Sequence, residues 1–282
     1  MARKKSLEMI TLGFLCGFAL MACRTEVNSN IAGVIDAAII GGTDVTESAP
    51  LSRSVALLFN RLTTEVCTVS ILNNQFALTA GHCISGHDTK NLYLVFDTTL
   101  SERSTTRRVV AAKPSDYYNP HANRKTNTSD IAVIRFEGGV PQGYTAASFL
   151  PNPTLLTNRA EVTVVGYGVN DEETRTGAGV LRTTNVQILD SNYSQTELTI
   201  DQSQKSGVCH GDSGGPVYKQ VNGKHYLWGV VSRSVNPDNC SEAAIITDSL
   251  MYLSWIREVV ISMGREKMEI PPDDGPLLSE AF

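Results

Sequence analysis

The chain has no excess of positive charge. Its 24 Lys and Arg are outnumbered by 29 Asp and Glu, for a formal net charge of −5, and no stripe of basic residues appears. Nucleic acid is therefore not an expected partner. Cysteine is scarce: six in 282 residues are too few for a disulfide-dense scaffold, although their placement still carries information. No His, Cys or Glu spacing of the kind that holds a metal is present, so neither metal nor cofactor is expected. The apolar stretch at residues 9–22 is shorter than the roughly 18 residues needed to cross a bilayer. Internal repeats are absent. Helical periodicity is nearly so, since only residues 253–266 carry it, with Trp255, Ile256, Val259 and Val260 on one face. What remains is ordinary: 41% hydrophobic and 19% charged residues exclude wholesale disorder, collagen and coiled coil. The length allows one large domain or two small ones.

The first 22 residues read as an address. Arg3, Lys4 and Lys5 precede the short apolar run, which ends Leu20-Met21-Ala22-Cys23. A basic start, a short apolar run and a small residue before the break are the parts of a secretory signal. The ending resembles a bacterial lipobox, which implies that Cys23 becomes the first mature residue and carries a lipid. The protein is then exported and attached to a bacterial membrane through residues 23–38, a tether and propeptide, or secreted after propeptide cleavage; the alternatives are an ordinary cleaved signal in which Cys23 is incidental and an uncleaved anchor. Arg24, in place of Asp, does not favour inner-membrane retention. Cys16 is lost with the signal. Cys67, Cys83, Cys209 and Cys240 remain, an even number that suggests two disulfides in an exported protein.

The body is a succession of short apolar or alternating runs: 55–59, 67–72, 76–79, 92–96, 131–136, 162–165, 186–189 and 227–231. They are rich in Val, Ile, Thr and aromatics and are bounded by Gly, Pro, Asn or Asp, the pattern of an all-β sandwich or barrel. Residues 143–153 are the candidate linker between two halves, about 39–150 and 151–252. The tail from 267 to 282, with PPDDGPLLSEAF at its end, is expected to lack order.

Three segments carry chemistry. In Gly211-Asp212-Ser213-Gly214-Gly215-Pro216, glycines around a serine allow a tight turn whose backbone N–H groups point into open space. Two such donors can hold an oxyanion. Chance occurrence of these six residues is on the order of 10⁻⁵ at average composition. In Leu78-Thr79-Ala80-Gly81-His82-Cys83, a strand runs into a loop that presents one imidazole, the side chain suited to moving protons near neutrality. In Ser129-Asp130-Ile131-Ala132-Val133-Ile134, one acid precedes an apolar strand. A buried carboxylate there can orient an imidazole. Asp97 and Asp116 lack that strand context. His87, His121 and His225 read as surface residues, and His210 as a neighbour of the serine loop.

These segments, in the order His82, Asp130, Ser213, resemble the trypsin/chymotrypsin-type serine proteases. Ile39-Ile40-Gly41-Gly42 is similar to that family's mature N-terminus, and Val165-Gly166-Tyr167-Gly168 to its Gly-Trp-Gly turn. The resemblance implies two six-stranded antiparallel β-barrels with a C-terminal helix, within a protease domain spanning 39–266. It also implies disulfides Cys67–Cys83 and Cys209–Cys240. The implied chemistry is peptide hydrolysis: Ser213 attacks the carbonyl, His82 moves the proton, Asp130 orients His82, and the N–H groups of Gly211 and Ser213 form the oxyanion hole.

By the same resemblance Gly207 lies at the floor of the substrate pocket, with Ser232, Ser234 and Ala244 at its walls. Glycine in place of a carboxylate argues against selectivity for Arg or Lys and for small or medium apolar residues before the cut. Arg233 stands where the family often has Trp. Cleavage of Ala38-Ile39 frees an amine that pairs with Asp212, so the chain is expected to be a monomeric zymogen acting on protein or peptide substrates. The rival expectation is a non-catalytic binding lipoprotein on the same fold.

Overall fold

The computed structural model describes residues 39–121 and 127–265. The signal peptide, Cys23, the propeptide and the 267–282 tail lie outside them. Short apolar runs become strands because each residue pair puts one side chain on each face, and a closed sheet buries the inner face completely. Six strands form the first barrel: β2 (Val55–Asn60), β3 (Val66–Ile71), β4 (Phe76–Thr79), β5 (Leu92–Phe96), β6 (Thr105–Pro114) and β7 (Ala132–Phe136). They close in the order β2-β3-β4-β7-β6-β5, all pairs antiparallel. Six more form the second: β8 (Glu161–Gly166), β9 (Arg182–Asp190), β10 (Glu197–Asp201), β11 (Pro216–Val221), β12 (Lys224–Ser234) and β13 (Ala243–Asp248). Their order β9-β10-β13-β12-β11-β8 closes through a β8–β9 pairing. The architecture is the expected all-β pair of antiparallel six-stranded barrels.

Two short stretches cross between the halves. The two-residue β1 (Thr43–Asp44) precedes the first barrel in the chain but pairs with β9 of the second. The linker is pinned on both sides: Ala147 N–H donates to Ile71 O at 2.8 Å, and Leu150 N–H to Leu227 O at 2.8 Å. The helix α1 (Leu253–Arg265) follows the second barrel yet packs on the first. Tyr252, Ile256, Val259, Val260 and Met263 join the core that contains the strands of that barrel. That spacing is the 3.6-residue period of one buried face. Arg135 of β7 donates to the Met263 carbonyl and ties the end of the helix to the barrel.

Register decides where the ends of strands meet. Leu78 lies opposite Val133 and Thr79 opposite Ala132. The pair is antiparallel, so the chain leaving β4 and the chain entering β7 emerge together, and both chemistry-bearing segments of this barrel lie there. The disulfides Cys67–Cys83 and Cys209–Cys240 are both formed.

Candidate active site

At that shared rim Asp130 is buried, 4% exposed. Its Oδ1 accepts the His82 backbone N–H at 2.9 Å, and its Oδ2 faces His82 Nδ1 at 2.8 Å. Oδ2 also accepts from the Ser232 hydroxyl at 2.6 Å, while Thr247 Oγ1 donates to the Asp130 carbonyl at 3.1 Å. The carboxylate is thus held by three donors, and the imidazole is oriented through Nδ1, leaving Nε2 for other work. Burial works against the charged imidazole. The Asp130 charge and hydrogen bond outweigh it, and Arg233 opposes them in part, so His82 titrates above its ordinary value. Burial likewise opposes ionisation of Asp130. The His82 charge and the hydrogen bonds from His82 and Ser232 prevail, and its pKa falls.

The serine loop reaches this rim from the second barrel. Thr68 N–H of β3 donates to Ser213 O at 2.8 Å. Cys83 Sγ lies 3.6 Å from that same carbonyl and 3.7 Å from His82 Nε2. The conformation depends on glycine at two places. A Cβ on Gly214, whose φ is +79°, would lie 2.0 Å from Thr79 Oγ1. One on Gly211, with φ +96°, would lie 2.8 Å from Gly168 Cα. Among the described residues no hydrogen bond joins Ser213 Oγ to His82, an arrangement that catalytic sites without substrate often show.

The loop's amides are aimed by their carbonyls. A trans peptide directs its N–H opposite to its C=O. The His210 carbonyl accepts from Val169 N–H at 2.8 Å, which turns the Gly211 N–H the other way. The Asp212 carbonyl accepts from Gly215 N–H at 2.9 Å, which does the same for Ser213. Among the described residues neither N–H has an internal acceptor. Two oriented, unengaged donors flanking a serine are the parts of an oxyanion site.

Asp212 underlies the loop. It is fully buried, with Oδ1 accepting from Gly168 N–H at 2.8 Å and Oδ2 from Cys209 N–H at 2.9 Å. A Cβ on Gly166 would lie 2.2 Å from Asp212 Oδ1, and one on Gly168 2.6 Å from its carboxylate. The Gly-Tyr-Gly turn is therefore cut to fit this acid. Burial pushes Asp212 up to about 7, against the two amide bonds and the charge of Arg182. Ile39 is fully buried in the second core, and Ile40 bridges to Gly207 through the Gly207 N–H at 2.9 Å.

The remaining expected site residues fall as follows. Ser234 lies opposite Ala244 between β12 and β13, and Ala244 is fully buried. Gly207 is buried as well, and the space a side chain there would take is filled: its Cβ would meet Gln202 Oε1 at 2.4 Å. Gln202 is itself 1% exposed, accepting from Val208 N–H at 2.6 Å and donating to Cys240 O at 2.5 Å. Sequence reasoning missed Gln202, and also Glu197, which grips Arg233. Neither belongs to a motif: Glu197 lies 36 positions from Arg233, and Gln202, only a few residues before Gly207, carries no local sign that its side chain turns back into that space. Asp116 pairs with exposed Lys113, and Asp97 accepts from Thr98 N–H and Ser104, so neither reaches His82. His87 contacts Asn60 and Glu65, His225 packs against Tyr218, and His210 is exposed.

A family model described as trypsin matches residues 39–256. Trypsin-1 of Astacus astacus is 27% identical over 241 residues, covering 78% of this chain and 98% of that protein. Chymotrypsin-like elastase family member 1 of Macaca fascicularis is 26% identical over 250 residues, 80% of this chain and 91% of the other. CLIP domain-containing serine protease B4 of Anopheles gambiae is 28% identical over 224 residues, 68% of this chain and 61% of the other.

Proposed function

This chain belongs to the trypsin family, and from that premise we propose that it is a serine endopeptidase working through His82, Asp130 and Ser213. The observation that carries the reading is the pair of aimed, unengaged amides at Gly211 and Ser213 on the rim that holds the His82–Asp130 pair. In the proposed reaction Ser213 Oγ attacks the peptide carbonyl and passes its proton to His82 Nε2. The carbonyl oxygen takes the new negative charge and accepts from the two amides; one such donor is worth about 3 kcal/mol. His82 returns the proton to the leaving amine, and water then releases the acyl group by the same steps in reverse roles. Asp130, fixed by its three donors, holds the proton on Nδ1 so that Nε2 is the free base.

Activation follows the same chemistry. Among the described residues Asp212 is a buried acid with no cationic side chain hydrogen-bonded to it. Cleavage of Ala38-Ile39 creates an amine on Ile39, and pairing with Asp212 then holds the loop. A residue before the cut as small as Ala38 suits the pocket proposed for this enzyme, since Gly207 and Gln202 supply its floor without a charge. The preference is for small or medium apolar residues, with Ser232, Ser234 and Ala244 alongside. The exported zymogen, a monomer, is held at a membrane by acylated Cys23, and its substrates are proteins or peptides.

The test is labelling by a fluorophosphonate. The protein processed to begin at Ile39 takes the label, and Ser213→Ala does not. Absence of label from the correctly processed wild type would move the protein to the non-catalytic reading. A peptide-library profile led by Arg or Lys would refute the pocket assignment alone.

A further inference from the structure

Arg233 does not project into solvent as a loose rim charge. Its side chain is 25% exposed and forks onto Glu197, whose side chain is 0% exposed. Nη1 reaches Glu197 Oε1 at 2.8 Å and Nη2 reaches Oε2 at 3.0 Å. Glu197 is held further by the Thr128 N–H at 3.1 Å, the Thr128 hydroxyl at 2.8 Å and the Ser194 hydroxyl at 3.2 Å. The same Nη1 also donates to Thr128 Oγ1 at 2.8 Å and to Ser232 Oγ at 3.1 Å, so its two protons are shared among three acceptors. Guanidinium has donors only, so Ser232 Oγ must accept from it, and the single hydroxyl proton of Ser232 is left for Asp130 Oδ2. A directed chain results, from Arg233 through Ser232 and Asp130 to His82 Nδ1.

We propose that Arg233 and Glu197 act as a positioning pair for the triad: Arg233 locks the Ser232 hydroxyl onto Asp130, and Glu197 holds Arg233 in that geometry and offsets part of its charge. The pair touches no reacting atom and works through Ser232 and Asp130. The proposal rests on the protease reading for its consequence, but the charge coupling exists whether or not the protein cleaves anything. The groups facing His82 are Asp130 ahead of β7, Tyr118 beside Gly81, the Cys67–Cys83 disulfide, and Arg233 from β12. Burial and the Asp130 charge push the Tyr118 phenol up to about 12, so it stays neutral across the range of interest. The charges acting on His82 are therefore those of Asp130 and Arg233, and Glu197 enters only through its ion pair with Arg233.

The signs follow from Coulomb's law. Glu197→Gln keeps an acceptor for Arg233 but leaves the guanidinium uncompensated, which disfavours the imidazolium, so His82 titrates at lower pH. Arg233→Gln removes the positive charge, and His82 titrates at higher pH. Each shift should be on the order of 0.5 to 1 pH unit at the effective dielectric constant of a protein rim. Arg233→Lys keeps the charge and stays near the wild type, and the double variant lies between the single ones.

The measurement is an NMR titration of the His82 imidazole in the full chain carrying Ser213→Ala, which needs no catalysis. In the processed active enzyme the acid limb of the kcat/KM profile should move the same two ways. Opposed shifts for E197Q and R233Q establish the pair. Equal titration of both with the wild type, or shifts of the same sign, overturns it. Should E197Q not fold, R233Q decides alone, since a His82 that titrates at or below the wild-type pH contradicts the proposal. Failure of fluorophosphonate labelling with opposed NMR shifts would reject the protease reading and leave the pair standing.

Discussion

Asp212 is the residue whose chemistry the proposed cut at Ala38-Ile39 would change most. Uncut, it is a fully buried acid with two amide donors. Burial holds its pKa at about 7 despite those donors and Arg182. The folded value lies above that of the unfolded chain, so between pH 4 and 7 the native state keeps a proton that the unfolded state has released. Stability contributed at low pH is then lost as pH rises, by up to about 4 kcal/mol. Urea unfolding of the uncut Ser213→Ala protein at a series of pH values should show this decline. Adding Asp212→Asn should remove it, and so should processing to Ile39, because the new amine favours the carboxylate. A slope that survives Asp212→Asn would mean that another group is responsible. The hexapeptide around Ser213 gave Asp212, by resemblance, as the partner of an amine freed at Ile39, but not its burial or its protonation. Its burial comes from Gly166 and Gly168, more than forty positions away.

At the scale of elements, the strands with the strongest contrast were readable, and several of the others were not. The runs at 55–59, 76–79 and 92–96 became β2, β4 and β5 with nearly every residue buried. β6 was missed because it is mostly exposed or half-buried along its length, so it has neither a continuous apolar run nor clean alternation. β10 and β13 were missed for a different reason. Their polar members Glu197, Thr199 and Thr247 are buried, and they spoil a pattern that assumes polar residues face water. The first disulfide matters at this scale too. It joins β3 to the loop that carries His82 across a sequence separation of 16, a loop length for which chain entropy gives about 3 kcal/mol. Replacing Cys67 and Cys83 together by alanine in the Ser213→Ala chain should lower unfolding free energy by about that amount in denaturant titration. A loss near zero would show that strand packing alone holds the loop.

At the scale of the whole molecule, two closed barrels meet so that each supplies what the other lacks. The first carries His82 and Asp130 at the ends of β4 and β7. The second carries the serine loop, Ser232 and the Arg233–Glu197 pair. The proposed cut at Ala38-Ile39 would have a molecular consequence beyond activation. Neither disulfide spans it, since both lie between Cys67 and Cys240. Processing there should therefore free the trypsin-family domain from the lipid proposed on Cys23. N-terminal sequencing and membrane fractionation check this: the active species should begin at Ile39 and leave the membrane fraction, while the Ser213→Ala chain stays uncut unless another protease acts. A fully active species beginning at Cys23 would end the idea of a tethered zymogen.

The sequence by itself determined which residues could do chemistry and in what order they occur, because His82, Asp130 and Ser213 sit in local motifs whose glycines, cysteine and apolar neighbours are read within a few positions. It also determined the fold class and the two disulfide partners through the resemblance those motifs carry. The tertiary structure alone decided what surrounds them. Antiparallel register brings the ends of β4 and β7 to one rim, and closure of the second barrel buries Glu197 beneath Arg233. Packing puts Gln202 where a side chain at 207 would go. Burial and charge depend on neighbours distant in the chain, so the raised pKa of Asp212 and the fork of Arg233 onto Glu197 follow from the folded contacts and from no segment read alone.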